Sequence, residues 1–218
     1  MTQLKAVLFD MDGLLFDTER VNCRAFAATA TQHQMTETAA HDLYLEVVGT
    51  SFANTMGRVG QAFPGKSMDE FDRDWTARFQ DLIATEVPLR PTVAATVRAL
   101  CDADWPMVVV TSSTRAVALS HLERSGLWPM LKGVVAADDV DRHKPDPEPY
   151  VNGAALAGYP PDVCAAFEDS DTGTKAAVAA GCTVWQIPDM RPKDRPLPDL
   201  GQGVAETLAE AVADAGLI

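Results

Sequence analysis

Four short apolar runs in this chain each stop abruptly at polar residues, and patterns typical of helices separate them. The runs span 6–9, 107–110, 133–137 and 164–167, and a fifth run, 183–187, stops at a proline. Runs of this length are typical of buried strands, and strands that alternate with helices form mostly parallel sheets. We therefore predict an α/β protein with a doubly wound, Rossmann-like parallel sheet, whose polar strand tips lie along one edge.

The first run ends in two aspartates one residue apart, Asp10 and Asp12, and Gly13 follows at once. Two carboxylates crowded at a strand tip repel each other, so the pair indicates a bound cation or a reaction that needs both. A plain Asp-x-Asp-Gly turn is the alternative, but an ordinary turn needs only one Asx residue and the glycine. The aspartate pair is therefore the leading candidate for a functional site.

The stretch from Asp10 to Glu19, with the sequence DMDGLLFDTE, resembles the first motif of the haloacid dehalogenase superfamily of phosphohydrolases. Within that superfamily it is most similar to the branch that contains sugar-phosphate phosphatases and β-phosphoglucomutase. The resemblance implies that Asp10 is the nucleophile that takes the phosphoryl group and that Asp12 is the general acid and base. The dehalogenases themselves lack an aspartate at the position of Asp12, so the chain does not resemble those enzymes.

Two later segments resemble the second and third motifs of the same family. Thr111, Ser112 and Ser113 place hydroxyls and N–H groups just before a helix, where anions bind, although an N-cap with a spare hydroxyl is the alternative. The resemblance makes Thr111 the phosphate-binding hydroxyl and gives Ser112 a second contact to the phosphate. It also makes Lys144, in a Lys-Pro-Asp-Pro segment, the lysine that bonds the phosphate and the nucleophilic carboxylate.

Three acids in four residues, Glu168, Asp169 and Asp171, follow the fourth apolar run. Mg²⁺ takes one or two carboxylates together with waters and phosphate oxygens, so a hard cation explains this density. An acidic first turn of a helix is the alternative, and it explains Asp171 best. We predict that Asp169 ligates Mg²⁺, and that Glu168 either ligates the metal or orients a water bound to it. Asp10 and the backbone carbonyl of Asp12 complete the expected set of metal ligands.

The segment 18–87 breaks the alternation of strand and helix. Its helical patterns span 19–33, 38–47, 52–59 and 68–86, with no convincing strand between them. About seventy residues exceed an ordinary crossover connection several-fold. We therefore predict an all-helical cap domain at 18–87, inserted into an α/β catalytic core of 1–17 and 88–218. A closing helix is predicted over 204–215.

Composition limits the partners that this protein can take. The formal net charge of −13 argues against nucleic acid or an anionic membrane surface. Four widely spaced cysteines without a CxxC pair favour free thiols in a reducing cytosol. The amino-terminal apolar run is too short for a signal peptide, and no window approaches the ~18 apolar residues of a membrane span. We expect a cytoplasmic protein, a monomer or weak homo-oligomer, that binds a small phosphorylated metabolite.

The motifs together predict Mg²⁺-dependent hydrolysis of a small phosphate monoester, of a sugar or polyol, through an aspartyl-phosphate intermediate. Cap residues Glu19, Asn22 and Thr50 are candidates to contact the leaving group, and a solvated helix face is the alternative for each. A phosphosugar mutase is the second hypothesis, but Asn22 and Phe52 stand where β-phosphoglucomutase carries a histidine and an arginine. A non-catalytic phosphate-binding protein on the same fold is the third hypothesis, and the intact set of motif residues argues against it.

Overall fold

The computed structural model describes residues 3–50, 52–85, 87–191 and 195–218, and they divide into two compact units. Within the described residues, the first unit holds Met1–Asp17, Pro88–Asp189 and Leu197–Ile218, and the second holds Thr18–Val87 and Met190–Pro196. The predicted division had instead assigned 190–196 to the α/β core. Glu86, the predicted last residue of the fourth helix in the insertion, lies outside the described residues.

Six strands form the sheet of the first unit. They are β1 (Ala6–Phe9), β2 (Met107–Val110), β3 (Gly133–Val135), β4 (Cys164–Glu168), β5 (Thr183–Gln186) and β6 (Gly203–Val204). Their order is β3-β2-β1-β4-β5-β6, and every neighbouring pair is parallel. The central strand β1 is fully buried, and its last residue, Phe9, lies opposite Val109 on one side and Phe167 on the other. The predicted α/β class with a parallel sheet is confirmed.

The regular secondary structure in the described residues of the second unit is all α-helical. Its helices are α1 (Thr18–Gln32), α2 (Glu37–Val47), α3 (Phe52–Ala62) and α4 (Met68–Thr85). Phe26 of α1 lies at the centre of an aromatic core, with ring centroids 5.7 Å from Tyr44, 5.6 Å from Phe71 and 5.0 Å from Trp75. Arg195 belongs to this unit because its guanidinium donates to backbone carbonyls in and just after α2, at 2.9 Å and 3.2 Å.

Among the described residues of the first unit, five α-helices accompany the sheet. They are α5 (Val93–Asp102), α6 (Arg115–Arg124), α7 (Glu148–Ala157), α8 (Asp171–Ala180) and α9 (Leu208–Asp214). Helix α7 packs its fully buried Tyr150, Ala154 and Ala157 into the same apolar cluster as Leu8 and Val110 of the sheet. No helix in the described ranges is long and apolar enough to cross a membrane.

The prediction of a closing helix over 204–215 is wrong at its start. Val204 lies in strand β6, which pairs with β5, and the helix begins only at Leu208. The boundary is fixed by a capping box, in which the hydroxyl of Thr207 accepts from the N–H of Glu210 at 3.2 Å. In return, the Glu210 carboxylate accepts from the N–H of Thr207, also at 3.2 Å. This reciprocal pair satisfies donors that the first turn of a helix otherwise leaves without partners.

Gly153 offers a test of how tightly α7 packs on the sheet. A Cβ atom at this position would lie 2.6 Å from Cγ2 of Val110, so Gly153→Ala overpacks the core. We expect the free energy of unfolding, measured by chemical denaturation, to fall by about 1–3 kcal/mol. Gly57 of α3 is the control, because nothing described lies within 4 Å of its added Cβ. Gly57→Ala is expected to stabilise by up to about 1 kcal/mol, and effects of the same sign would contradict this account.

Candidate active site

The chain turns back on itself directly after β1. The N–H of Phe16 donates to the carbonyl of Met11 at 3.0 Å, and the N–H of Gly13 donates to the carbonyl of Phe16 at 2.9 Å. Gly13 has a φ of +84°, which a side chain disfavours, and a Cβ there would lie 2.3 Å from Oδ2 of Asp169. Glycine at this position therefore permits both the turn and the close approach of Asp169.

Arg90 stabilises this turn by donating hydrogen bonds to its backbone carbonyls. Its Nη1 donates to the carbonyls of Gly13 and Ile187, and its guanidinium lies 3.7 Å from the carboxylate of Asp189. The N–H of Arg90 also donates to the carbonyl of Leu15 at 3.0 Å. Arg90 is not among the residues that the sequence analysis singles out. The available signal was a charged residue between a leucine and a proline where the chain re-enters the core.

Asp10 and Lys144 lie in one buried hydrogen-bonded network. The Nζ atom of Lys144 is 2.6 Å from Oδ1 of Asp10 and 2.7 Å from Oε1 of Glu168, and it also donates to the carbonyl of Val110 at 2.9 Å. The hydroxyl of Tyr150 donates to the same Oε1 at 2.9 Å, and Nζ lies 4.9 Å from the centre of its ring. The ammonium group of Lys144 thus lies between two carboxylates, and all three side chains are largely shielded from solvent.

The pKa values in this network reflect burial together with the charges of the neighbouring groups. Burial raises the pKa of Asp10 to about 8, although Lys144 opposes the shift, and the charge of Glu168 reinforces it. Burial alone would lower the pKa of Lys144, but the carboxylates of Asp10 and Glu168 outweigh it and raise that pKa. A single lysine therefore stays protonated beside Asp10 without fully offsetting the cost of burying the carboxylate there.

The tip of β2 carries the predicted phosphate-binding residues. Thr111 is buried, with its N–H donating to the carbonyl of Val135 at 2.9 Å, while Ser112 is exposed. The N–H of Ser113 donates to Oγ1 of Thr111 at 3.0 Å. The hydroxyl of Ser113 donates to Oδ2 of Asp12 at 2.8 Å. Sequence reasoning singled out the first two residues of this run and missed the contact between Ser113 and Asp12.

Three carboxylates converge at the tips of β1 and β4. One oxygen each from Asp10, Glu168 and Asp169 lies within 4.8 Å of the others, close enough to hold a metal ion. The second oxygen of Glu168, however, accepts from the N–H of Ser170 at 3.1 Å and from its hydroxyl at 2.9 Å. Both oxygens of Glu168 are therefore already hydrogen-bonded within the protein. Asp171 lies in the first turn of α8 and accepts from Nε2 of Gln186 at 2.9 Å.

The cap candidates lie in the helical unit, and two of the three line one pocket there. Asn22 and Thr50 contribute to a cavity of about 460 Å³ within this unit. Its other walls include Phe52, Thr55, Asp72, Trp75, Thr76 and Phe79. Oδ1 of Asn22 accepts from the indole of Trp75 at 2.8 Å, and the Thr50 hydroxyl lies 2.9 Å from that of Thr55. Glu19 instead accepts from the Tyr44 hydroxyl at 2.6 Å and is not part of the pocket lining.

Comparisons with known proteins place this chain in one family. Residues 7–187 match the model of the haloacid dehalogenase-like hydrolases. Hexitol phosphatase A of Escherichia coli (strain K12) is 33% identical over 186 residues, which cover 84% of this chain and 82% of that protein. A solved HAD family hydrolase from Deinococcus radiodurans R1, with bound phosphate and sodium, is 27% identical with a TM-score of 0.83, and covers 100% of this chain and 99% of its own.

A second solved structure shares only the fold. The β-phosphoglucomutase of Clostridium difficile has a TM-score of 0.67 at 16% identity, with 98% of this chain and 97% of that chain covered. The chain belongs to the haloacid dehalogenase-like hydrolase family. The predicted enzyme class, a hydrolase acting on phosphoric monoesters, is confirmed.

His121 of α6 is a buried polar side chain that packs against the turn after β1. It is 6% exposed, and its ring meets Phe16 edge-on with centroids 5.7 Å apart. Its Nδ1 atom is buried and has no hydrogen-bond partner among the described residues. Burial lowers the pKa of His121, although the charge of Asp12 opposes this shift. The ring is therefore held in its neutral form.

Replacing His121 tests this burial through the pH dependence of stability. The unfolded chain, in which the pKa is about 6.5, binds a proton more readily than the folded one. Stability due to the neutral ring is thus present above pH 6.5 and is lost as the pH falls below it. His121→Phe keeps an edge-on ring, so its free energy of unfolding should decline less than that of the wild type between pH 7.5 and 5.5. An equal decline in the free energy of unfolding of the two proteins over this pH range would contradict the assignment.

Proposed function

We propose that this enzyme is a Mg²⁺-dependent phosphatase of small sugar or polyol phosphates that works through an aspartyl-phosphate. The observation that carries the proposal is the buried contact of Lys144 with Asp10 at 2.6 Å. A carboxylate held against an ammonium group at a strand tip is oriented for attack on phosphorus. The same ammonium group offsets the repulsion between Asp10 and an incoming phosphate dianion.

The reaction divides the work between the two aspartates. Asp10 attacks phosphorus while Thr111 and the N–H of Ser112 bind the phosphate oxygens. Asp12 gives its proton to the departing alkoxide, and later takes a proton from the water that attacks the phosphoenzyme. Two successive transfers need a nucleophile and a separate acid and base, and this requirement explains why two aspartates stand one residue apart.

The residues present fit a divalent cation. One carboxylate oxygen each from Asp10, Glu168 and Asp169 lies within 4.8 Å of the others, an arrangement that can hold a metal ion. Asp10, the carbonyl of Asp12 and Asp169 would hold Mg²⁺, which prefers such oxygen ligands. The bound ion supplies charge neutralisation between carboxylate and phosphate. Because both oxygens of Glu168 are hydrogen-bonded, we assign Glu168 to positioning Lys144 and Ser170.

The pocket in the helical unit supports a neutral leaving group rich in hydroxyls. Aromatic rings of Trp75 and Phe79 stand beside the amide of Asn22, the Thr50 hydroxyl and the carboxylate of Asp72. Among the described residues that line it there is no lysine, arginine or histidine. A second phosphate would therefore find no cation there, and this favours hydrolysis over the mutase hypothesis. The structural likeness to a mutase does not alter this, because fold alone does not fix activity.

The remaining expectations concern the setting of the enzyme. All four cysteines are free thiols, and the net charge is −13. Both support an enzyme of the cytoplasm that acts on a small phosphorylated metabolite, with neither nucleic acid nor membrane as partner. The expected state of a monomer or weak homo-oligomer stays a prediction.

Exchanging each aspartate for asparagine separates the two proposed roles. An aryl phosphate has a leaving group that needs no proton, so Asp12→Asn should still be phosphorylated and should show a burst of phenol. Its second step should slow by about 10²–10⁴-fold, so that acid-stable, hydroxylamine-sensitive phosphoprotein accumulates. Rapid-quench assays in Mg²⁺ measure both quantities.

Asp10→Asn provides the matched control, because it should show neither burst nor labelled protein. A chelator in place of Mg²⁺ should abolish the burst in Asp12→Asn. Label on the Asp10→Asn protein, or steady turnover of Asp12→Asn without phosphoenzyme, would show that the roles are assigned wrongly.

The charge of Asp72 should bias the enzyme against bisphosphates. We expect kcat/KM to favour sugar monophosphates over matched bisphosphates, and Asp72→Asn to narrow that preference by about fivefold. This magnitude corresponds to about 1 kcal/mol, the interaction of two charges about 4 Å apart in water. Asp74→Asn, an exposed neighbour in α4 outside the pocket, changes the net charge equally and should leave the preference as it is. An equal effect of both variants would contradict the assignment.

A further inference from the structure

Ser113 makes three hydrogen bonds at the carboxyl end of strand β2. Its N–H donates to Oγ1 of Thr111 at 3.0 Å. Its carbonyl accepts from the N–H of Ala137 at 3.0 Å. Its hydroxyl donates to Oδ2 of Asp12 at 2.8 Å. The backbone of Ser113 thus belongs to the phosphate-binding segment, while its side chain reaches the neighbouring strand tip.

We infer that Ser113 is a positioning residue for proton transfer, acting through Asp12. Among the described residues, its hydroxyl is the one hydrogen-bond partner of the Asp12 carboxylate. The terminal torsion of an aspartate is broad and poorly fixed by its own rotamer preferences. A single bond to Oδ2 fixes that torsion and leaves the other oxygen to exchange the proton. This inference rests on the proposed function.

A serine hydroxyl suits both halves of the reaction because it can donate to Oδ2 of Asp12 whether or not the other oxygen carries a proton. In the first half, a bond forms between Asp10 and phosphorus, the bond to the leaving oxygen breaks, and the proton of Asp12 passes to that oxygen. The hydroxyl of Ser113 donates to Oδ2 of Asp12 both before and after this transfer, because the exchanged proton is carried by the other oxygen. In the second half, water attacks phosphorus, its proton passes to Asp12, and the bond from phosphorus to Asp10 breaks.

The two kinds of contact can be separated by mutation. Ser113→Ala removes the hydroxyl but keeps the backbone N–H that orients Thr111 and the carbonyl that accepts from Ala137. Binding of the phosphate should therefore persist in the variant while Asp12 loses its support. A displacement of about 1 Å in a reacting group can cost about 10²-fold in rate. The loss should fall only on steps that move a proton.

The experiment compares phosphoenzyme formation and breakdown in Ser113→Ala with an aryl phosphate in Mg²⁺. We expect formation within about threefold of the wild-type rate, breakdown slower by about 10–100-fold, and accumulation of labelled protein. With a sugar phosphate, whose leaving group needs the proton, formation should slow as well. Ser113→Thr keeps the hydroxyl and should restore breakdown to within a few-fold. Ser120→Ala removes an exposed hydroxyl from α6 and should behave as the wild type.

Two outcomes would overturn the inference about Ser113 without contradicting the proposed function. One is equal slowing of formation and breakdown with the aryl phosphate, and the other is wild-type breakdown in Ser113→Ala while Asp12→Asn accumulates phosphoenzyme. If Asp12→Asn forms no phosphoenzyme either, the proposed function itself fails. Ser113→Cys, which keeps the side-chain volume but is a weak donor, gives the same readout should the alanine variant not fold.

Discussion

The buried ammonium group of Lys144 is the contact on which the rest of this site depends. It lies within 2.7 Å of both Asp10 and Glu168, and removing it would leave two carboxylates buried without a counter-charge. Uncompensated buried charge is among the costliest features a fold can carry. Strands β1 and β4 are neighbours in the sheet, so their carboxyl ends lie close together. The side chain of Lys144, which precedes α7, can therefore form an ion pair with a carboxylate at each of the two strand ends.

Much of the sheet and of the candidate site could be predicted, because both depend on patterns of residues that are close together in the sequence. Short apolar runs that stop at polar residues fix the strands, and the parallel topology then brings their tips to one edge. Asp10, Thr111 and Lys144 follow from this logic together with the family resemblance. The start of α9 was equally local, since Thr207 and Glu210 have the spacing of a capping box. Continuing the helical pattern back to Val204 overlooked that signal.

Contacts between side chains far apart in sequence could not be predicted in the same way. The hydroxyl of Ser113 reaches Asp12 across 101 residues, and Arg90 reaches the turn at Gly13 across 77. No periodicity encodes such pairs, because they depend on how two loops meet once the sheet has formed. The same holds for the hydrogen bonds of Glu168, whose two oxygens accept from Tyr150, Lys144 and Ser170.

The order of the strands has a consequence for how this enzyme folds during its synthesis. The central strand β1 is made first, yet Leu8 pairs with Val108 and Ala166, which leave the ribosome much later. Lys144 meets Asp10 across 134 residues of chain. Such non-local pairing slows folding, and an incomplete chain exposes unpaired apolar strand edges. The nascent protein therefore has no assembled active site until β4 has been synthesised, whereas the local contacts of α1 to α4 are available for folding before then.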